Sequence, residues 1–174
     1  IIDIRNDTRV LSIFLGGSTL EHWVNNRYLE KLNIPEVHIY DSDINQPDER
    51  NRNKYQKYIN RINRRPNNDI AFVTKKAEME NYLHPDIIKN KYAFDTIYHQ
   101  GNDNWLRDWS ETINIEKYVK ENKTNQEFTK KSSFAELSRN LTKEHLIELE
   151  AFEEIESWFN KIKEFVPKYN FASE

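Results

Sequence analysis

The sequence predicts an α/β fold, a parallel sheet flanked by helices with a helical C-terminal extension, and three observations carry that prediction. Short apolar runs bounded by polar or turn residues recur at 10–15, 37–40 and 70–73, the length and composition of buried strands. Segments with apolar residues at helical spacing separate them, so right-handed parallel βαβ connections are the default. The last third carries helical stripes and no strand pattern, which predicts an α/β core over residues 1–100 and a helical region packed on it over 101–174.

In order, Val10-Leu11-Ser12-Ile13-Phe14-Leu15 reads as a buried first strand, turned by Gly16-Gly17. Ser18 and Glu21 have the spacing of a capping box, which starts a helix running through Trp23, Val24, Tyr28, Leu29 and Leu32 to about Asn33, before Pro35. Val37-His38-Ile39-Tyr40 is the next strand. A polar loop around Pro47 leads to a helix over residues 48–64, with Tyr55, Tyr58, Ile59 and Ile62 inward, and Ile70-Ala71-Phe72-Val73 is the third strand. His84-Pro85 opens a further helix with proline at its first position. The pattern blurs over 92–125, where Gly101 to Asn104 reads as a loop. Beyond it, Ser133 and Glu136 form a second capping box, and a long helix over 141–166 places Leu146, Leu149, Phe152, Ile155, Phe159 and Ile162 on one stripe.

Composition narrows the function classes. The 174 residues suit one domain with a core of its own, and 13% aromatic residues argue for folding although 32% of the chain is charged. With no cysteine, disulfides and thiolate zinc sites are excluded, which fits a cytoplasmic location. The longest apolar runs are too short for a membrane span. A net charge of −3 says little by itself, but the distribution is uneven: basic residues gather in the middle and acidic ones near the end. The chain opens on Ile1-Ile2-Asp3 rather than methionine, which predicts a fragment or a processed product. Trp105, Trp109 and the long terminal helix suit a partner surface, a homo-oligomer included, as readily as a core.

The candidate chemistry lies at two strand ends. Asp41 and Asp43 follow the second strand, and on an extended chain a two-residue spacing puts both carboxylates on one side with Ser42 pointing away. Glu78 and Glu80 repeat that spacing after the third strand. Carboxylates held together repel unless a cation lies between them, and Mg²⁺ or Mn²⁺ is the hard, oxygen-seeking ion for that position; the bland alternatives are turn and cap aspartates and a solvated helix start. Lys75 and Lys76 stand beside the glutamates, where they can stabilise charge on a phosphate or act as plain surface lysines. Arg50, Lys54, Lys57, Arg61 and Arg64 fall on one face of the helix over 48–64, with Arg52 and Arg65 nearby, a cationic row that suits a nucleic-acid backbone or a solvated face equally. Gly16-Gly17-Ser18 lacks the lysine of a P-loop, and no histidine pair or nucleophile elbow is evident.

Taken together, Phe14-Leu15-Gly16-Gly17-Ser18, Ile39-Tyr40-Asp41-Ser42-Asp43 and Lys75-Lys76-Ala77-Glu78-Met79-Glu80-Asn81-Tyr82-Leu83 resemble, in order and spacing, the Toprim domain of OLD-family (overcoming lysogenisation defect) ATP-dependent endonucleases. The resemblance covers residues 11–83. It implies a Toprim-like, Rossmann-like fold with Asp41, Asp43, Glu78 and Glu80 around Mg²⁺ or Mn²⁺, and Lys75, Lys76 and Glu78 acting at a phosphodiester of DNA. It also implies an ABC-type ATPase, upstream or separate, and a role in defence against phage. The family's first motif, a strand ending in glutamate followed by glycine, has no counterpart here, and Asp3 and Asp7 lie too close to the Gly16-Gly17 turn to replace it. The isolated chain is therefore expected to be inert even where its parent cuts DNA. Two other classes fit parts of the pattern: a degenerate Toprim module that binds nucleic acid or a partner protein without catalysis, and a Mn²⁺-dependent Asp-x-Asp glycosyltransferase-like domain, which leaves the glutamates and the basic helix unexplained.

Overall fold

A computed structural model of the chain describes residues 4, 6–15, 19–32, 34–46, 48–49, 54–93, 104–125, 127 and 131–166. Among them the fold is mixed α/β, with helices around one small parallel sheet of two strands, β1 (Val37–Tyr40) and β2 (Ile70–Val73). Both strands lie where the apolar runs predict them. Their register continues at each end: the Ile70 N–H donates to the Glu36 carbonyl at 2.9 Å and the Thr74 N–H to the Tyr40 carbonyl at 2.9 Å.

The predicted first strand does not form. Residues 10–15 carry no strand, and Leu11 and Phe14 are 77% and 96% exposed. Apolar composition makes a strand possible but only a paired neighbour satisfies its backbone groups, and among the described residues the sheet holds β1 and β2 alone.

The chain divides into two compact units. The first comprises residues 1–38, 56–72 and 155–174. Here α1 (Leu20–Asn26) packs on α2 (Gln56–Ile62), burying Leu20, Val24, Ile59 and Ile62. α1 is shorter than predicted: Arg27 adopts a left-handed conformation (φ 49°) that ends the helix, and only a single turn, Glu30–Leu32, follows. Thr19 rather than Ser18 occupies its N-cap, and Ser18 lies outside the described residues. Of the helix predicted over residues 48–64, Glu49 is helical, residues 50–53 lie outside the described residues, Lys54 and Tyr55 form a turn, and α2 ends at Ile62. Its C-terminal end is fixed by Asn63, whose Oδ1 accepts the Ala71 N–H at 2.7 Å, and by Arg65, which precedes Pro66 and so disfavours helix.

The Arg65 side chain, close to the predicted basic face, is buried. Its Nη1 lies 3.1 Å from both Glu36 Oε2 and Asp69 Oδ2, and Nη2 donates to the Val24 carbonyl at 2.8 Å. His38 Nε2 lies 2.8 Å from the same Glu36 oxygen, while the Glu36 N–H donates to Asp69 Oδ1 at 3.0 Å. One guanidinium thus ties the end of α1, the start of β1 and the turn before β2.

The second unit comprises residues 39–55 and 73–154. It contains α3 (Pro85–Tyr92), α4 (Trp105–Glu111), α5 (Ile115–Asn122), α6 (Lys131–Leu137) and α7 (Lys143–Glu148). α3 begins as predicted, with proline at its first position and His84 Nδ1 accepting the Asp86 N–H at 3.3 Å. The blurred stretch holds α4 and α5, the latter capped by Asn114, whose Oδ1 accepts the Lys117 N–H at 2.9 Å. Gly101 to Asp103 lie outside the described residues. Trp109 belongs to the core rather than to a surface: it is 3% exposed, its indole N–H donates to the Leu83 carbonyl, and Tyr118 meets its ring edge-on. Tyr92 and Phe134 bring α3 and α6 together, with ring centroids 5.9 Å apart.

The predicted capping box at Ser133 falls inside α6, which starts at Lys131. The single long terminal helix is also interrupted. Glu150 turns left-handed (φ 53°), its N–H bonds the Ile147 carbonyl and the Ala151 N–H bonds the Leu146 carbonyl, a Schellman termination that closes α7 before α8 (Phe152–Phe165) begins. The Leu146 to Ile162 stripe is therefore carried by two helices. No helix among the described residues is long and apolar enough to cross a membrane.

The Arg65 cluster yields two predictions. Arg65→Met leaves Glu36 and Asp69 buried without a cation and should cost about 3–5 kcal/mol in urea unfolding. The Glu36 carboxyl is held below its ordinary value of 4.5, chiefly by the hydrogen bond to His38 and further by Arg65, against the opposing effect of burial. A depressed folded-state value stabilises the fold above 4.5, and that contribution is lost as pH falls through the lower folded value. Urea midpoints measured from neutral pH downward should fall over that window, and Glu36→Gln should flatten the fall.

Candidate functional site

Past the last residues of β1 and β2 the chain is laced together by side chains. The Ser42 N–H donates to Thr74 Oγ1 at 2.9 Å, and both hydroxyls donate to the Lys76 carbonyl, Ser42 Oγ at 2.6 Å and Thr74 Oγ1 at 2.7 Å. The Asp43 N–H then reaches the Ala77 carbonyl at 2.9 Å. The Asp41–Asp43 segment and the Lys75–Glu78 segment are thereby held side by side, the juxtaposition predicted for neighbouring parallel strands.

The two-residue alternation does not survive that lacing. Asp43 has φ 51°, a left-handed conformation aspartate tolerates, so the chain turns there instead of remaining extended. Ser42 is buried and not turned outward, Asp43 is buried, and Asp41 is half-buried. Asp41 Oδ1 accepts the Met79 N–H at 3.0 Å. Asp43 Oδ2, sealed from solvent, lies 2.7 Å from Lys54 Nζ, yet no hydrogen bond of good geometry is directed at it, so the contact is one of charge more than of orientation.

The glutamates are arranged differently. Glu78 is 7% exposed and sits at the N-cap of the Met79–Tyr82 turn, its N–H bonded to Asn81 Oδ1 at 3.0 Å and its Oε1 accepting from Asn114 Nδ2 at 3.3 Å. Glu80 lies within that turn, half-buried. The predicted convergence of all four acids does not occur: among the described residues no group of three or more histidines, aspartates or glutamates is placed to share an ion. The lacing fixes backbones in register, and capping then draws Glu78 toward Asn81 and Asn114. Carboxylates are the donor chemistry that Mg²⁺ takes, but the turn at Asp43 removes the extended alternation that would put Asp41 and Asp43 on one side.

Lys75 is exposed, and its N–H donates to Glu154 Oε1 at 2.8 Å. Glu154, buried, takes the Tyr82 hydroxyl on its other oxygen at 2.7 Å. Burial and this carboxylate together push the Tyr82 hydroxyl above its ordinary value, so it remains a donor. Lys76 is buried, and loss of solvent lowers its pKa although Glu111, Glu150 and Glu154 oppose the shift. The two lysines therefore differ in setting: one is exposed to solvent, the other is buried with a lowered pKa.

The basic row is only partly a helix face. Lys57 and Arg61 lie one turn apart on α2, Lys57 Nζ 3.9 Å from Glu21 and 4.6 Å from the Tyr58 ring centroid, Arg61 bonded to Asn25. Arg64 is exposed in the turn that follows, Lys54 precedes the helix, and Arg50 and Arg52 lie outside the described residues. One arrangement has no counterpart in the sequence reading: His84 and His145 stack with centroids 4.7 Å apart, and His84 Nε2 lies 3.0 Å from Glu148. Each imidazole uses Nδ1 to accept a backbone N–H, from Asp86 and Thr142 respectively, and these local caps were the signal available beforehand.

No protein-family model matches the chain, and neither curated proteins nor solved structures yield a match.

Asn81 is the fastening of the Glu78 segment. Only 1% exposed, it accepts from Glu78 N–H and donates to the Trp109 and Ile113 carbonyls at 2.5 and 3.0 Å. Asn81→Leu removes all three bonds and should destabilise the fold by about 3 kcal/mol, since each orphaned buried group costs on the order of 1–3 kcal/mol. Urea unfolding measures the loss, and hydrogen exchange should show the Glu78 amide losing protection first.

Proposed function

We propose that the carboxyl ends of β1 and β2 form a divalent-metal phosphodiesterase site acting on DNA, as the resemblance to OLD-family Toprim domains implies. The observation that supports this reading is the lacing of Asp41-Ser42-Asp43 to Lys75-Lys76-Ala77-Glu78, which brings oxygen donors and ammonium groups to one sheet end, where open parallel sheets commonly bind ligands. Asp41 and Asp43 would hold Mg²⁺ or Mn²⁺. The ion, when bound, supplies charge stabilisation at the phosphoryl oxygen and a more acidic attacking water. Lys75, exposed, and Lys76, buried with its pKa lowered by loss of solvent, would assist at the phosphate. Glu78 and Glu80 flank the pair instead of completing it. An ABC-type ATPase partner, a role against phage and a cytoplasmic setting belong to the same reading.

A second reading is favoured by the Asp43–Lys54 contact, because an ammonium group next to the more buried aspartate suits a module that binds nucleic acid without cutting it. Nicking of supercoiled plasmid with Mn²⁺ separates the two. In the full reading frame, Asp41→Asn should lower the nicking rate by about 10²–10³, the usual cost of removing a principal charge-stabilising group. Salt-sensitive DNA binding with no metal-dependent nicking, unchanged by Asp41→Asn, would establish the binding module instead.

A further inference from the structure

The imidazoles of His84 and His145 meet across the starts of two helices. They stack with 4.7 Å between centroids and 16° between planes. His84, at the N-cap of α3, accepts the Asp86 N–H on Nδ1 at 3.3 Å. His145, in the first turn of α7, accepts the Thr142 N–H on Nδ1 at 3.3 Å, while its own backbone N–H donates to Thr142 Oγ1 at 3.2 Å. A ring nitrogen that accepts an N–H carries no proton, so the two caps require both rings neutral with the proton on Nε2. The His84 ring is buried, and its Nε2 is sealed from solvent, with Glu148 Oε2 3.0 Å away but no well-directed hydrogen bond. His145 is half-buried, so solvent reaches the pair from its side.

Both caps therefore depend on the same protonation state. A proton on Nδ1 turns the acceptor into a donor aimed at a backbone N–H, which breaks the cap. It also sets a cation at a helix N-terminus and, where both rings charge, two cations face to face, each unfavourable. Charged groups act on the pair from both helices: Asp86 of α3, whose Oδ2 lies 3.6 Å from His84 Nδ1, and Glu148 and Glu144 of α7, while Lys143 places its ammonium over the Phe152 ring. The Asp86 and Glu148 side chains are exposed, so water screens their attraction for a charged ring. For His84 burial is the larger effect and holds its pKa below the ordinary 6.5. The folded chain takes that proton less readily than the unfolded chain, so stability present above 6.5 is lost as pH falls through the lower folded value.

We propose that His84 and His145 form a proton-operated clasp between α3 and α7, closed while both imidazoles are neutral and opened when either takes a proton at Nδ1 and gives up the cap it holds. The clasp uses no residue of the proposed catalytic site and does not rest on that reading. The stack couples its two halves: a charge on one ring opposes a charge on the other, so the pair titrates as a unit. Mild acid, in the range where histidine changes charge, thus loosens the starts of two helices that the sequence places some sixty residues apart.

Long-range proton–nitrogen NMR of the imidazoles, together with solvent exchange of the Asp86 and Thr142 amides, tests the clasp in this chain. Well above the histidine range, at about pH 8, both rings should show the Nε2-protonated tautomer. Between about pH 7.5 and about pH 5.5 the exchange of both amides, normalised to that of an open chain, should rise about fivefold, the factor a helix cap is worth. His84→Asn combined with His145→Gln keeps an acceptor in each cap without a titrating group, and should match the parent's protection at neutral pH with no rise in acid. An Nδ1-protonated tautomer in either ring at the upper pH overturns the proposal and needs no substitution to detect. Exchange that stays flat in the acidified parent, or rises equally in the double variant, overturns it as well. Should the double variant not fold, the tautomers and the parent's exchange decide.

Discussion

The Ser42–Thr74 pair is the constraint on which the candidate site depends. A sheet of two four-residue strands has few ladder bonds, and beyond Tyr40 and Val73 the described backbone adds the Thr74–Tyr40 and Asp43–Ala77 bonds. Two buried hydroxyls take over, converging on the Lys76 carbonyl while the Ser42 N–H closes onto Thr74. Each bond contributes only about 0.5–1.5 kcal/mol net, but leaving that carbonyl or amide unpaired in the interior costs on the order of 1–3 kcal/mol. The arrangement is therefore close to obligatory once these residues are buried, and it fixes where Asp41, Asp43, Lys75, Lys76 and Glu78 stand.

Electrostatics then sorts those residues by depth. Asp41 is half-buried and accepts a backbone N–H from Met79. Asp43 is deeper and takes the charge of Lys54. Lys76 is deep and has carboxylates around it without a close pair, and desolvation prevails over their attraction. Lys75 keeps its side chain in solvent and contributes only its backbone to Glu154. Two acids and two lysines that look interchangeable in the sequence thus have four different electrostatic roles.

What the sequence made legible was local. β1, β2 and α3 follow from short apolar runs with clear ends and from proline at a first helical position, and no distant contact is needed to specify them. The run at 10–15 is apolar like β2 but has no pairing partner among the described residues, and composition carries no information about pairing. Helix ends were misplaced for a related reason. Arg27 and Glu150 adopt left-handed conformations at helix ends without being glycine, so the usual stop signal was missing at each. The separation of the carboxylates was hidden in the same way, because it depends on the turn at Asp43 and on Asn81 and Asn114, which are remote from any motif.

Glu78 shows why the carboxylate pair, not the quartet, is the natural metal-binding unit under the proposed reading. To join Asp41 and Asp43 its side chain would have to leave Asn114 and turn away from the cap that begins the Met79–Tyr82 turn. Asn81 resists that movement, since its amide also secures the Trp109 and Ile113 carbonyls at the end of α4. Asp43 is held differently: the partly exposed ammonium of Lys54 lies 2.7 Å from its carboxylate, whereas Glu78 is bound into a buried amide network.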